Sequence, residues 1–309
     1  DPAANINDPI ERLSVSASHP LWLVDRWTKA FGAAETEALC HANNGSPPIA
    51  FRVVKRRTAN NDVLSKLKTA GALITKSQIA TDAWRFAGDR QLLFDLVAHG
   101  EVYLQDEASQ LVPEILDARP DERILDLCAA PGSKTTQIAD SMQGRGTVIA
   151  GDVYARRLQA LRRSATLQNL ENIQCLQLDA LQALPFKEQS FDRVLVDAPC
   201  SGTGTLRRNP EIRWRISAHD IEDLSARQGQ LLSNASRVVR PGGRLVYSTC
   251  SVEPDENEAV ARTFIDNHIN FSLRPMSGRN SLLMDGTLRT WPQHDGTDGF
   301  FVVAFERVN

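Results

Sequence analysis

For residues 106–309 the sequence predicts an α/β fold on a mostly parallel sheet, and for residues 1–105 a small α+β lobe. Three observations lead there. From about residue 120, short β-branched runs alternate with helical patterns, which marks βαβ units. Those runs end repeatedly in Asp or Cys, at positions 126, 128, 152, 179, 197, 200 and 250. The chain has 309 residues, 42% of them hydrophobic and 24% charged, so it is long enough for two unequal domains and is globular in composition.

The elements follow in order. Arg123 to Cys128 reads as a buried strand, followed by Ala129-Ala130-Pro131-Gly132-Ser133 and a helix from Lys134 to about Met142. A second strand, Thr147 to Val153, carries Asp152 at its end, and a helix runs from Ala155 to about Gln168. A third, Ile173 to Leu178, leads into Asp179. A fourth, Phe191 to Val196, leads into Asp197-Ala198-Pro199-Cys200. The helix over Ile221 to Val239 stops at Arg240-Pro241-Gly242-Gly243, a Pro/Gly stop signal. A fifth strand, Arg244 to Ser248, runs into Thr249-Cys250; a helix over Glu256 to Asn267 and an apolar stretch, Phe300 to Phe305, close the unit. In the first hundred residues, His19 to Phe31 and Ala34 to Ala42 read as helices and Pro48 to Val54 as a strand. A helix from Asn61 to Ala70 and strand-like residues through Phe86 follow, with a boundary near 100–106.

Composition narrows the function. Lys and Arg total 35 against 38 Asp and Glu, a net charge of −3, which by itself is no nucleic-acid signature. Residues 1–100 carry +2, however, and Leu206 to Ile216 packs Arg207, Arg208, Arg213 and Arg215 around Trp214 with only Glu211 opposing. For Trp214, packing in a core or between lobes is favoured over base stacking. Five widely spaced cysteines without a C-x-x-C pair exclude a disulfide framework and a structural zinc, so no metal is expected. Cys40 and Cys175 are read as small buried hydrophobes. No apolar run approaches the roughly 18 residues of a bilayer span; a cytoplasmic, monomeric protein without a membrane partner is expected. The chain opens on Asp1-Pro2-Ala3 without an initiator Met and is read as a piece of something longer.

Ligands of an open parallel sheet bind beyond the carboxyl ends of its strands, where these Asp and Cys residues fall. The loop before Lys134 fails as a phosphate site. A P-loop needs Gly before the Lys and again five residues earlier, but Ser133 and Cys128 stand there. A dinucleotide loop needs three glycines, and only Gly132 is present. S-adenosyl-L-methionine carries no phosphate and makes another demand: a loop around its methionine part, a carboxylate for the ribose and a polar group for the adenine. Asp152 and Asp179 suit the last two. Each Asp alone is better explained as a helix cap or turn residue; as an ordered series they favour the cofactor.

The cysteines suggest the chemistry. Carbon 5 of a pyrimidine attacks a methyl group only after a thiolate adds to carbon 6, and the proton on carbon 5 must then leave. Cys250, Asp197 and Cys200 offer an attacking thiol, an acid beside the base and a group that helps elimination. The acid would have to be protonated, or share a proton, to donate to the base, which burial favours.

Three segments carry a specific likeness: Leu125 to Gly132 (LDLCAAPG), Asp197 to Gly204 (DAPCSGTG) and Ser248 to Ser251 (STCS). With His19 to Leu23, Tyr103 to Ser109, Arg207 to Trp214 and Asp298 to Phe301, the chain resembles the RNA cytosine-5 methyltransferases, and most of all their bacterial Sun/Fmu type, which modifies small-subunit ribosomal RNA. The resemblance implies a Rossmann-like class I methyltransferase domain on a mostly parallel seven-stranded sheet, behind a small RNA-binding lobe. It implies Cys250 as nucleophile, Cys200 as the residue that assists product release and Asp197 as a contact to the cytosine. S-adenosyl-L-methionine would be held by Cys128, Ala129, Ala130, Pro131, Gly132, Ser133 and Lys134, with Asp152, Arg157, Asp179 and Asp197. The antitermination-factor-like domain that often precedes these motifs in bacterial relatives is not in this sequence. Ser133 replaces a usual Gly, which puts the loop's shape in question if that position needs positive φ. The partner implied is RNA, ribosomal by this resemblance, with transfer RNA as a nearer rival that the motifs do not separate; a non-catalytic ribosome-assembly factor is the rival from another class. Lys55-Arg56-Arg57 and the Arg207 to Arg215 stripe would supply phosphate contacts.

Overall fold

The computed structural model describes residues 3–275, 283–284 and 286–308. Three helices come first: α1 (Pro9–Ser16), α2 (Leu21–Phe31) and α3 (Ala33–Asn43). Then β1 (Ile49–Val53), α4 (Asn60–Thr69), β2 (Leu73–Lys76), β3 (Ala83–Ala87), α5 (Arg90–Ala98) and β4 (Val102–Leu104) form an antiparallel sheet in the order β2-β3-β1-β4. The α4 and α5 side chains Val63, Leu67, Leu93 and Leu96 pack on Phe51, Val53, Phe86 and Val102 of one face.

Helix α6 (Glu107–Leu116) leads into the larger unit: β5 (Arg123–Asp126), α7 (Ser133–Ser141), β6 (Thr147–Asp152), α8 (Ala155–Leu167), β7 (Ile173–Gln177) and β8 (Phe191–Asp197). There follow α9 (Ile212–Arg215), α10 (Ala218–Val238), β9 (Val239–Thr249), α11 (Glu258–Asn267) and β10 (Phe271–Leu273). The chain ends with β11 (Leu283–Met284), β12 (Thr287–Thr290), α12 (Pro292–Asp295) and β13 (Phe300–Arg307). The sheet order is β11-β12-β13-β9-β8-β5-β6-β7, with β10 beside β13. Strands β9, β8, β5, β6 and β7 run parallel to one another, and β13 is antiparallel to β9.

The sheet therefore has nine described strands where seven were expected. The excess is the short β10 and β11, and without them seven remain. Strand alternation divides the core. Leu125, Val194, Val196, Leu245 and Tyr247 face α10 and α11. Their neighbours Ile124, Leu195 and Val246 face α6 and α7. The stop at Pro241 is real for the helix, but β9 begins at Val239 and runs through Gly243, with an irregular register between Phe191 and Arg193 of its partner. Among the described residues no helix is long and apolar enough to cross a membrane.

The region before residue 106 does not pack as one body. Leu23, Val24, Trp27 and Leu39 of α2 and α3 share a core with Leu206 and Val252, which follow the two candidate cysteines. The small sheet joins the large unit through Arg52, 1% exposed. Its guanidinium donates to Gln105 at 3.1 Å, Thr136 at 2.8 Å and Gln168 at 3.2 Å and lies 4.9 Å from the Tyr103 ring. Burial lowers its pKa to about 10, against the pull of Asp140. Replacing Arg52 with Met would strand three buried acceptors, so Arg52→Met is expected to cost about 3 kcal/mol. Urea unfolding measures it; a loss below about 1 kcal/mol would contradict the tether.

Candidate active site

The site forms where the parallel strands end. β5 finishes at Asp126, and the loop Leu127 to Gly132 is pinned on both sides: the Leu127 N–H donates to the Leu195 carbonyl at 3.0 Å and the Ala129 N–H to that of Gly151 at 2.9 Å. Asp152, 5% exposed at the end of β6, accepts from the Ala130 N–H at 3.3 Å and the Tyr154 N–H at 2.9 Å. Arg157 braces this corner, donating to the Ala130 carbonyl at 2.5 Å with its guanidinium 3.5 Å from Asp152. Gly132 has φ +112°, and a Cβ there would lie 2.7 Å from Leu161. Ser133 begins α7 and is not among the residues with positive φ, so Ser in place of Gly leaves the loop's shape intact.

Lys134 and Asp197 meet across that edge. The Lys134 ammonium, on a nearly buried side chain, donates to Asp197 Oδ2 at 2.7 Å and lies 5.0 Å from the Phe300 ring. Asp197 Oδ1 accepts from the Ser248 hydroxyl at 2.8 Å. Burial works against the lysine's charge, but Asp197, with Cys250 and Asp126, outweighs it and holds the ammonium above the usual lysine range. Asp197 is thus held as the ion-pair partner of Lys134. The buried acid is Asp126, whose carboxyl accepts from Thr135 at 2.7 Å.

Cys200 and Cys250 bring their sulfurs to 3.2 Å, a non-bonded contact between free thiols. The contact with Cys250, followed by burial, pushes the Cys200 thiol well above the usual range. The backbones around them are locked by close approach. The Gly204 N–H donates to the Cys250 carbonyl at 3.0 Å and the Gly299 N–H to that of Gly204 at 2.8 Å. A Cβ on Gly204 would sit 2.0 Å from the Gly299 carbonyl oxygen, so only glycine fits. Cys128 is partly buried, its side chain packed on the core, and burial and then the neighbouring carboxylates Asp126, Asp197 and Asp152 drive its pKa up. Asp179 is exposed and caps its own turn, accepting from the Leu181 N–H at 3.0 Å.

Several sequence readings change here. Trp214 is 64% exposed, not a core residue, because the short α9 presents it outward. In the arginine stripe, Arg213 is buried and donates to the Ser18 carbonyl and to Asn44 at 3.0 and 2.8 Å. Arg207 and Arg208 pair with Asp298 at 3.0 and 2.8 Å. These three are tied into the structure, although Arg208 is also exposed, and Arg215 is exposed without such a tie among the described residues. Lys55 pairs with Asp82 at 2.6 Å, while Arg56 and Arg57 are exposed. Cys40 is buried and Cys175 partly so. Among the described residues no group of His, Cys, Asp and Glu could hold a metal. Sequence reasoning missed Glu256, Asn257, Ser201 and Ser251, all buried beneath the cysteines. An acidic residue at the start of a helix ordinarily faces solvent, which hid Glu256.

Comparison with known proteins agrees with this architecture. A family model described as "16S rRNA methyltransferase RsmB/F" matches residues 113–306, and one described as a "Methyltr_RsmF/B-like, ferredoxin-like domain" matches residues 19–91. The "Probable ribosomal RNA small subunit methyltransferase B" of Bacillus subtilis is 34% identical over 98% of this chain and 69% of its own length. The "Ribosomal RNA small subunit methyltransferase B" of Pseudomonas putida is 34% identical over 97% and 68%. The solved structure of a methyltransferase homologue from Pyrococcus horikoshii superposes with a TM-score of 0.86 at 26% identity, over 98% of this chain and 100% of that one.

Asp126 yields a pH prediction. Burial lifts its carboxyl from 3.8 to about 7, partly offset by the Thr135 hydroxyl. A carboxyl raised on folding contributes stability that is whole below about pH 4 and is lost as the pH climbs to about 7. Asp126→Asn, which keeps an acceptor for Thr135, is therefore expected to gain stability relative to the native chain as pH rises through that window. Urea unfolding at several pH values measures the difference; one that stays constant from pH 4 to 7 would contradict the buried neutral acid.

Proposed function

The chain belongs to the 16S rRNA methyltransferase RsmB/F family, and from that premise we propose that it transfers a methyl group from S-adenosyl-L-methionine to carbon 5 of a cytosine in small-subunit ribosomal RNA. The supporting observation is the convergence of the Cys200 and Cys250 sulfurs at 3.2 Å beside the Lys134–Asp197 pair.

In this reading the Cys250 thiolate bonds to carbon 6 of the cytosine and pushes the carbon 5–carbon 6 π pair toward carbon 5. Asp197, held by Lys134 and Ser248, contacts the polar edge of the base. When bound, S-adenosyl-L-methionine would supply a methyl group made electrophilic by its sulfonium. Cys200 then assists removal of the proton from carbon 5; that C–H pair restores the ring double bond while the carbon 6–sulfur pair returns to Cys250. The donor set suits the cofactor, since Asp152 and Asp197 match ribose hydroxyls and a cationic sulfonium, and no glycine-rich cradle for phosphate is built. Cys128 to Lys134 would hold the methionine part, with Arg157 bracing the loop, and Asp179 would serve the adenine.

The cytosine must be unstacked to expose carbon 6, at a cost of a few kcal/mol. Exposed Trp214 and Arg215, with Arg56 and Arg57 on the small lobe, are the side chains we assign to RNA. The names of the curated relatives favour ribosomal over transfer RNA.

Roles divided between two cysteines have a direct test. Cys200→Ala, incubated with a small-subunit RNA fragment and cofactor, is expected to accumulate a protein–RNA adduct that survives denaturing electrophoresis. The Cys200→Ala/Cys250→Ala double variant is expected to form none. No adduct with Cys200→Ala, or an equal amount from both, would contradict the assignment.

A further inference from the structure

Beneath the two sulfurs lies a buried polar cluster with no part in the chemistry above. Glu256, 0% exposed, stands at its centre. Its Oε1 accepts from the Ser201 N–H and from Gln228, both at 2.9 Å. Its Oε2 accepts from the Ser251 hydroxyl at 2.5 Å and from the Ser201 hydroxyl. Ser201 follows Cys200 and Ser251 follows Cys250, so one carboxylate holds the residues next to both thiols. Four donors converge on two oxygens, a site built for an acceptor-only group. Asn257 extends the grip: it accepts from the Thr249 hydroxyl at 2.5 Å and donates to the Ser251 carbonyl at 2.9 Å, bracketing Cys250 from both sides. Tyr247 ties the pair down, donating to the Glu256 carbonyl at 2.5 Å and to Gln228 at 3.1 Å.

Burying a carboxylate is costly unless every partner is in place. Packing alone does not call for one here, because an apolar side chain would fill the same volume. What the carboxylate adds is direction: it fixes two loops, fifty residues apart in sequence, relative to each other. We propose that Glu256 is a positioning residue that sets the separation of the Cys200 and Cys250 sulfurs through Ser201 and Ser251. The proposal rests on the two-cysteine reading for its catalytic consequence but has a readout that does not.

The first arm is kinetic. A displacement of about 1 Å in a reacting group can cost on the order of 100-fold in rate. Glu256→Gln places an amide N–H₂ against the serine hydroxyls, and it is expected to lower kcat by at least about 30-fold. KM for RNA should move less than about threefold, because no substrate contact is removed. Ser201→Ala removes one hydroxyl donor and is less prone to misfold; a loss of about tenfold in kcat is expected.

The second arm needs no RNA or cofactor. Diamide oxidises two neighbouring thiols to a disulfide, taking their two electrons and two protons, and the rate reports how closely they meet. In the native chain Cys200 and Cys250 should cross-link rapidly, and in Glu256→Gln and Ser201→Ala at least about tenfold more slowly. The sign separates position from charge: the Glu256 charge raises the Cys200 pKa, so an electrostatic role alone would make Glu256→Gln cross-link faster. Slower cross-linking with reduced kcat supports the clamp. Unchanged or faster cross-linking in both variants would overturn it, whatever the activity. If both variants cross-link more slowly than the native chain but the native chain methylates no RNA, the functional reading fails and the clamp stands.

Discussion

Two strands, β8 and β9, lie parallel with Asp197 opposite Ser248, and the site depends on that register. Each chain leaves the sheet at the same height and within a few residues presents a thiol, Cys200 from one and Cys250 from the other. A slip of one residue would turn the side chains of β8 or β9 to the opposite face. It would separate Asp197 from the Ser248 hydroxyl and carry one sulfur away from the other. The register is protected from both sides, since Val194, Val196, Leu245 and Tyr247 fill one core while Leu195 and Val246 fill the other. Hydrophobic alternation thus fixes the geometry of a polar site without touching it.

Past the sheet, where no ladder remains to hold the chain, three devices take over. Glycine allows backbone to approach backbone at Gly204 and Gly299. A buried carboxylate gathers the serines that follow each thiol. The amino-terminal helices press Trp27 and Arg26 onto Glu253, at 2.8 and 2.6 Å, in the turn just after Cys250. That last contact gives α1 to α3 a place in the architecture unlike that of the small sheet. They cover the loops that carry the thiols, whereas the sheet reaches the opposite part of the edge through Arg52 and Thr136 of α7.

Much of this was legible in the sequence, and the reasons for the remainder are physical. Strands β5, β6, β8 and β9 announce themselves because strands buried on both faces are continuous apolar runs, whereas β7 lies at the sheet edge and is largely exposed. Their polar ends mark the edge where ligands bind. Helices α1, α5 and α6 carried weaker signals: α1 has one buried residue, and α6 encloses Pro113 in a stretch buried on nearly every side. Strands β10 and β11 have three and two residues, too short for a pattern. Arginines mislead because the sequence shows charge and not partner. Arg207, Arg208 and Arg213 looked like a nucleic-acid stripe and prove to be ties to Asp298, Ser18 and Asn44. Trp214 misled in the other direction, exposed where its size argued for burial. Lys134 shows a further limit, since its pairing with Asp197 joins residues 63 positions apart and no local spacing reveals it.

The central claim is that Cys250 bonds to the pyrimidine and Cys200 does not. An RNA fragment carrying 5-fluorocytidine at the target, incubated with the unaltered chain and cofactor, tests it most directly, because fluorine at carbon 5 cannot leave as a proton does and the covalent complex is held. Protease digestion and mass spectrometry of that complex should place the nucleotide on the peptide containing Cys250, with the Cys200 peptide unmodified. A nucleotide on Cys200, or methylated fluorocytidine released without any protein-bound form, would contradict the account.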